Sequence, residues 1–229
     1  MKKKNRICNL LSIMMVALLG VCYTSCGSDD DDVENSIDTS SVVLYVDDTK
    51  IVEGNISESE SENAFVASIK NNTITANHIG QTTIIINKKN KIPVIVMPKY
   101  VIMTSEPILD WGITKNEVKT RWKLGTLSKE ENDVLVYNNC GDAELVGYAF
   151  KNGKLSGVSI ALPISKGTKF ANYLTERFFI IPYEINDEFV GYDAYSLEDA
   201  KTTILFETSG QYKVGSTKVY TCTYLPASK

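Results

Sequence analysis

The chain has 229 residues, with 24 basic and 28 acidic side chains, a single histidine and five cysteines. Beyond residues 2–6 the Lys and Arg form no extended cluster, and an acidic chain of that kind is a poor nucleic-acid binder, because neutralising phosphates takes clustered cations. No CxxC and no His-bearing metal spacing is present, so neither a zinc motif nor a cysteine-rich scaffold is expected.

Residues 1–6 (MKKKNR) are basic, and residues 7–21 (ICNLLSIMMVALLGV) are uncharged and mostly apolar. That is the layout of a secretory signal peptide, and the run is shorter than the roughly 20 apolar residues of a spanning helix. Thr24-Ser25-Cys26 follows and resembles the lipobox of bacterial lipoproteins, with Tyr23 standing where that family prefers Leu. The resemblance implies a signal peptide at 1–25 and a lipid on Cys26, with Cys22 the rival after a poorer cleavage neighbour, Val21. Residues 1–26 hold four of the basic side chains and no acidic one, so the mature chain moves from a net charge of −4 to −8. Asp29–Asp32 open an acidic linker at 26–41. A charge block this dense cannot bury apolar surface and stays solvated as a tether. In one phylum of Gram-negative bacteria such a run also resembles a signal for export to the cell surface. The implied location is the outer membrane, lipid-anchored, on the cell surface rather than the periplasmic face.

From Val42 the pattern becomes short β-like runs (42–46, 50–52, 64–69, 73–76, 81–87 and 91–98) separated by polar turns, with no helical period of useful length. Close-spaced strands of this kind predict a small β-sandwich over 42–99. Pro93 and Pro98 belong at a strand edge or end. Asn63–Ile69, Asn72–Ala76 and Ile79–Ile84 resemble the second half of a bacterial Ig-like domain of the group 2 type, a family that serves as a spacer or adhesive unit. Asn72 stands where the family has Gly, which Asn can replace because it also adopts φ > 0. The family's tryptophan before the motif is absent, and the acidic loop SESESE (57–62) takes its place. That loop lacks the ligand spacing of a calcium site.

Residues 100–229 read as an α+β domain with two helices on one face of an antiparallel sheet, a helix and three strands twice over. Thr114 and Glu117 form a capping box, with Ile113 and Val118 as its staple, for a helix at 115–124 stopped by Gly125. Strands follow at 133–138, 145–151 and 154–162, the last two joined by Asn152-Gly153, the strongest short hairpin signal. A second helix at 168–178 places Phe170, Tyr173, Leu174 and Phe178 on one stripe. Strands at 188–195, 202–207 and 218–225 complete the domain. The first half, through Gly112, Thr114, Val118, Gly125, Tyr137 and Phe150–Leu155, is similar to small outer-membrane assembly lipoproteins and to β-lactamase-inhibitor-like folds. The whole layout looks like a group of surface lipoproteins of Gram-negative bacteria, which implies an arrangement and no activity.

No catalytic residue and no cofactor is expected. His78 lies in a turn, away from any nucleophile, and Cys140 and Cys222 are left with their pairing open. Glu184, Asp187, Glu188 and Asp193 are the carboxylates that a glycoside hydrolase would need. Tyrosines concentrate at 173–224 as core or as a binding face. Along 188–195 the alternation sends Val190, Tyr192 and Ala194 inward and Tyr195 outward beside Asp193, which makes Tyr195 and Asp193 the candidate ligand contacts. The expected function is a non-enzymatic binding or adhesion module for a glycan or a protein. The alternatives are a periplasmic partner-binding lipoprotein for envelope assembly or inhibition and a carboxylate-dependent hydrolase. The expected partners are the membrane, through Cys26, and that ligand.

Overall fold

The computed structural model describes residues 36–184, 189–195, 202–207 and 212–227. The signal segment, Cys26 and the acidic run lie outside them. The described residues make a mostly β structure of several sheets with two helices. They belong to one contact unit, Asn35–Lys229, which contains two separate hydrophobic clusters.

Seven strands build the first cluster: β1 (Val42–Tyr45), β2 (Thr49–Ile51), β3 (Ser59–Ser61), β4 (Ala67–Lys70), β5 (Thr73–Ala76), β6 (Gly80–Ile86) and β7 (Asn90–Met97). They pair as two sheets, β1-β7-β6-β3 and β2-β5-β4. Period-2 alternation does the work: Ile92, Val94 and Val96 of β7 and Ile84 and Ile86 of β6 are buried, and Ile74 and Ala76 of β5 join them from the other sheet. The turn between β4 and β5 is Asn71-Asn72, with φ of 48° and 62°. Two successive positive φ angles mark the tight hairpin turn that asparagine tolerates and branched residues do not.

One expectation holds here and one changes. Pro93 lies within β7 opposite Thr83, and the other side of β7 is an open edge at that position. It is tolerated because β1 pairs with β7 only from Val94 onward, so the missing N–H falls where the ladder has no neighbour on that side. SESESE is not wholly a loop, since Ser59–Ser61 forms β3 against Ile84–Ile86. A three-residue edge strand carrying Glu60 is a way to end a sheet without inviting further pairing.

The second cluster sits on a nine-stranded sheet. Its strands are β8 (Thr126–Glu130), β9 (Val134–Cys140), β10 (Ala143–Lys151), β11 (Lys154–Pro163), β12 (Phe179–Glu184), β13 (Phe189–Tyr195), β14 (Thr202–Glu207), β15 (Lys213–Val214) and β16 (Thr217–Pro226). The order is β12-β13-β14-β16-β11-β10-β9-β8, with β15 pairing β16, and every pair is antiparallel. β8, β12 and β15 are additions to the six strands expected. Asn152-Gly153 turns β10 into β11 with φ of 53° and 73°. Tyr148, Val158, Tyr224 and Ile204 are level across β10, β11, β16 and β14, and all four are buried.

Helix α1 (Lys115–Arg121) starts as its sequence demands. Glu117 N–H donates to Thr114 Oγ1, and Thr114 N–H returns a bond to Glu117 Oε2. The helix is shorter than expected, because Trp122 is already extended (φ −81°, ψ 122°) and turns into the core. Gly125 (φ 73°) therefore does not cap it. A Cβ there would press on the Asn138 carbonyl and come within 2.6 Å of Cys140 Sγ, so glycine lets the chain pass close over β9. Helix α2 (Gly167–Thr175) buries Phe170, Tyr173 and Leu174. It ends three residues before the expected stop, and Phe178 packs on the same cluster from the turn that follows. Thr114→Ala is expected to cost about 0.5–2 kcal/mol in urea denaturation and Lys115→Ala far less, because only the first leaves a helix donor unpaired. Equal losses would refute the cap.

Candidate functional site

Two charged residues follow α2 directly, and both are buried: Glu176 is 4% exposed and Arg177 8%. Burial of charge is tolerated only when every polar atom is matched, and here it is. The Glu176 carboxylate accepts the N–H groups of Lys99 at 2.8 Å and Tyr100 at 3.0 Å, and its carbonyl accepts the Ile79 N–H at 2.9 Å. One residue thus ties the end of α2 to the turn between β5 and β6 and to the segment that leaves β7.

Arg177 faces the other way. Nε and Nη2 grip Glu106 in a two-point pair at 2.9 and 2.6 Å, and Nη1 donates to the carbonyls of Tyr173 at 2.9 Å and Tyr100 at 3.4 Å. Its guanidinium carbon lies 3.6 Å from the centre of the Tyr173 ring, and the Tyr173 hydroxyl donates to Glu106. Stacking and bidentate pairing together are what arginine offers and lysine does not. Burial pushes the guanidinium pKa down, but the bond from Glu106, with Tyr173 and Glu176, more than offsets that, and the net direction is up. Burial, then Glu106, holds the Tyr173 hydroxyl well above the ordinary tyrosine range.

Beside this group opens a pocket of about 170 Å³, walled by Ile79, Pro107, Leu109 and Phe178 and by Glu106, Arg177, Tyr173 and Tyr224. Tyr224 is fully buried, and among the described residues its hydroxyl has only the Cys222 thiol, two residues earlier on β16, as a neighbour to bond with. Burial raises the hydroxyl's pKa well above the usual value, with Cys222, Tyr173 and Glu106 adding to the effect.

The residues singled out from sequence fall elsewhere. Tyr195 and Asp193 are in β13, level with Phe179 and Ile181 of β12. Their side chains lie outside the described residues, as do those of Tyr183, Tyr192 and Glu184 and the whole of Asp187 and Glu188. Of the other tyrosines, Tyr173 and Tyr224 are core, Tyr220 is half-buried and Tyr212 is exposed. His78 stacks on Phe65 at 3.9 Å, with Nδ1 2.8 Å from the Phe65 carbonyl, which makes it a turn support. Cys140 and Cys222 are both free and buried, with no disulfide between them. Burial pushes the Cys140 thiol up to about 11, and Cys222 higher still, so neither is poised as a nucleophile.

Glu106, Glu176 and Arg177 were missed. One signal was available. A Glu-Arg dipeptide interrupting the apolar sequence between Leu174 and Phe178 must either break the stripe or be buried with partners, though nothing local in the sequence singles out Glu106 as that partner. Compared with protein-family models, with curated proteins and with solved structures, the chain matches none.

Proposed function

We propose that this chain is a lipid-anchored envelope protein, held at the outer membrane through Cys26 and facing the cell surface. In this reading an Ig-like β-sandwich spacer (42–99) presents a C-terminal α+β domain (100–229) that binds a glycan or a protein and performs no chemistry. The pocket beside Arg177 carries the reading. Its charged groups are spent on one another: Glu106 is held by Arg177 and Tyr173, which fixes a shape rather than readying a group for proton transfer. Apolar walls with a few aimed polar atoms are the makeup of a recognition site. The two sheets around one core in residues 42–97 support the spacer.

The anchor and the binding are tested separately. Cys26→Ala is expected to lose metabolic palmitate labelling and leave the membrane fraction, while Cys22→Ala keeps both. Persistent labelling of Cys26→Ala would end the anchoring claim. For binding, the full chain is applied to a glycan array and to an envelope extract. Silence in both would remove the binding claim.

A further inference from the structure

We infer that two copies of this chain pair through the open face of the nine-stranded sheet. The other face is closed: Trp122 packs on Tyr148, and Phe170 of α2 stacks on Phe206, over the buried row of Tyr148, Val158, Tyr224 and Ile204. Side chains alternate along each strand, so the register puts the intervening residues on the open side. One row across β9, β10, β11, β16 and β14 is Val136, Gly147, Ser159, Thr223 and Leu205. The row beside it is Val134, Ala149, Gly157, Leu225 and Thr203. Neither stretch contains a charge. Val134, Val136, Leu205 and Leu225 are partly exposed, and none joins the core cluster. Through Asp193 of β13 the second row continues to Ile181 of β12, which is 44% exposed. An antiparallel sheet with one face in water is ordinarily polar on that face, so these rows are made to be covered.

The glycines show how close the cover comes. Gly147 and Gly157 lie inside strands and lack a left-handed φ, so no turn requires them. A Cβ on Gly147 would meet nothing nearer than 3.9 Å, and one on Gly157 would touch Leu225 at 3.4 Å, an ordinary contact. The single chain thus has room for side chains at both places. Glycine inside a strand weakens it, and bare backbone there marks the close approach of another backbone.

Charge and area select a second copy as that neighbour. The charged positions in these rows stand toward opposite margins: Lys129 on β8, level with Val136, and Asp193 on β13, level with Thr203. Lys129 now pairs with Glu131 at 3.1 Å, both more than half exposed, a contact of little worth. A two-fold axis along β11 sets β8 of one copy over β13 of the other. It brings each lysine toward an aspartate while the uncharged strands between them meet. Seven strands lie from β8 to β13; at about 4.8 Å per strand and about 17 Å of length, the face offers roughly 570 Å². Two copies bury about 1,100 Å², above the roughly 1,000 Å² of a specific interface.

The test is made on the full chain in the envelope of the cells that produce it, with a short bis-maleimide. Cys140 and Cys222 are buried, and the unsubstituted chain gives the background. Ser159→Cys lies on the axis and is expected to yield an adduct of twice the chain mass. Thr168→Cys, exposed on α2, is expected to yield none. Ala149 is exposed, so Ala149→Glu puts a charge into the interface without burying one in the single chain. It should cut the Ser159→Cys adduct roughly tenfold, and Gly147→Ala roughly threefold, with circular dichroism unchanged in both. If Ala149→Glu loses its fold, Gly147→Ala decides. No adduct from Ser159→Cys, equal yields from Ser159→Cys and Thr168→Cys, or a yield that the folded variants leave unchanged overturns the pairing. An adduct with a different protein, identified by mass spectrometry, also overturns it and assigns the face to that partner. The pairing does not rest on the pocket beside Arg177, so silence on a glycan array leaves it standing.

Discussion

Arg177→Ala is expected to destabilise the chain by about 3–5 kcal/mol, measured by urea denaturation. The guanidinium is matched to Glu106 by two bonds, to two carbonyls, and to the face of Tyr173. Removing it strands Glu106 beside the Tyr173 hydroxyl and leaves the 4%-exposed Glu176 without its cation. The cost of breaking such a pair lies mostly in the charges left behind, not in the bond lost. Arg177→Met combined with Glu106→Gln should therefore recover a large part of the loss, because the stranded carboxylate is removed with its partner. Arg177→Lys should fall between, keeping the charge and losing the two-point grip. If Arg177→Ala costs less than about 1 kcal/mol, water reaches these groups freely and the cluster is a surface pair, whose typical worth is 0–1 kcal/mol.

The contrast between what was legible and what was not follows from how local each signal is. Asn152-Gly153 and the Thr114–Glu117 box declare themselves within four residues, because a positive φ or an orphan helix N–H is satisfied by atoms close in sequence. The alternation in β7, β10 and β16 is equally local and located those strands. β8 was not legible: TLSKE is exposed at every position, so it carries no alternation, and it is a strand only because β9 lies beside it. β12 was hidden differently. FIIPYE reads as a continuation of the apolar stripe of α2 and contains Pro182, which argues against a central strand; at the edge of the sheet the missing N–H is tolerated. The Glu106–Glu176–Arg177 group is the extreme case, since its members are about 70 residues apart in the chain and it exists only once the sheet has brought α2 against the segment after β7. The change of texture near Tyr100 suggests a domain boundary there; two hydrophobic clusters lie to either side of it, within one contact unit, Asn35–Lys229. The bonds from Glu176 across it could not be read that way.

Trp122 joins the two kinds of information, because the helix expected at 115–124 includes it while its exit from that helix was not legible. It is 3% exposed and lies edge-on to two rings, 5.5 Å from Tyr148 and 6.2 Å from Tyr137, which are themselves 6.2 Å apart and nearly perpendicular. Had α1 continued to 124, Trp122 would keep helical dihedrals. Its extended backbone instead swings the indole over β9 and β10. Trp122→Ala is expected to cost about 3–5 kcal/mol, the loss typical of a large aromatic removed from a packed core, with the urea m-value unchanged. Trp122→Phe should cost much less, under about 1.5 kcal/mol, for a specific reason. The buried indole N–H has no hydrogen-bond partner among the described residues, so the ring that replaces it gives up packing area but also relieves an unmatched donor. A Phe variant as unstable as the Ala variant would mean that the N–H is satisfied in solution and that Trp122 is held by a hydrogen bond as well as by its neighbours' rings.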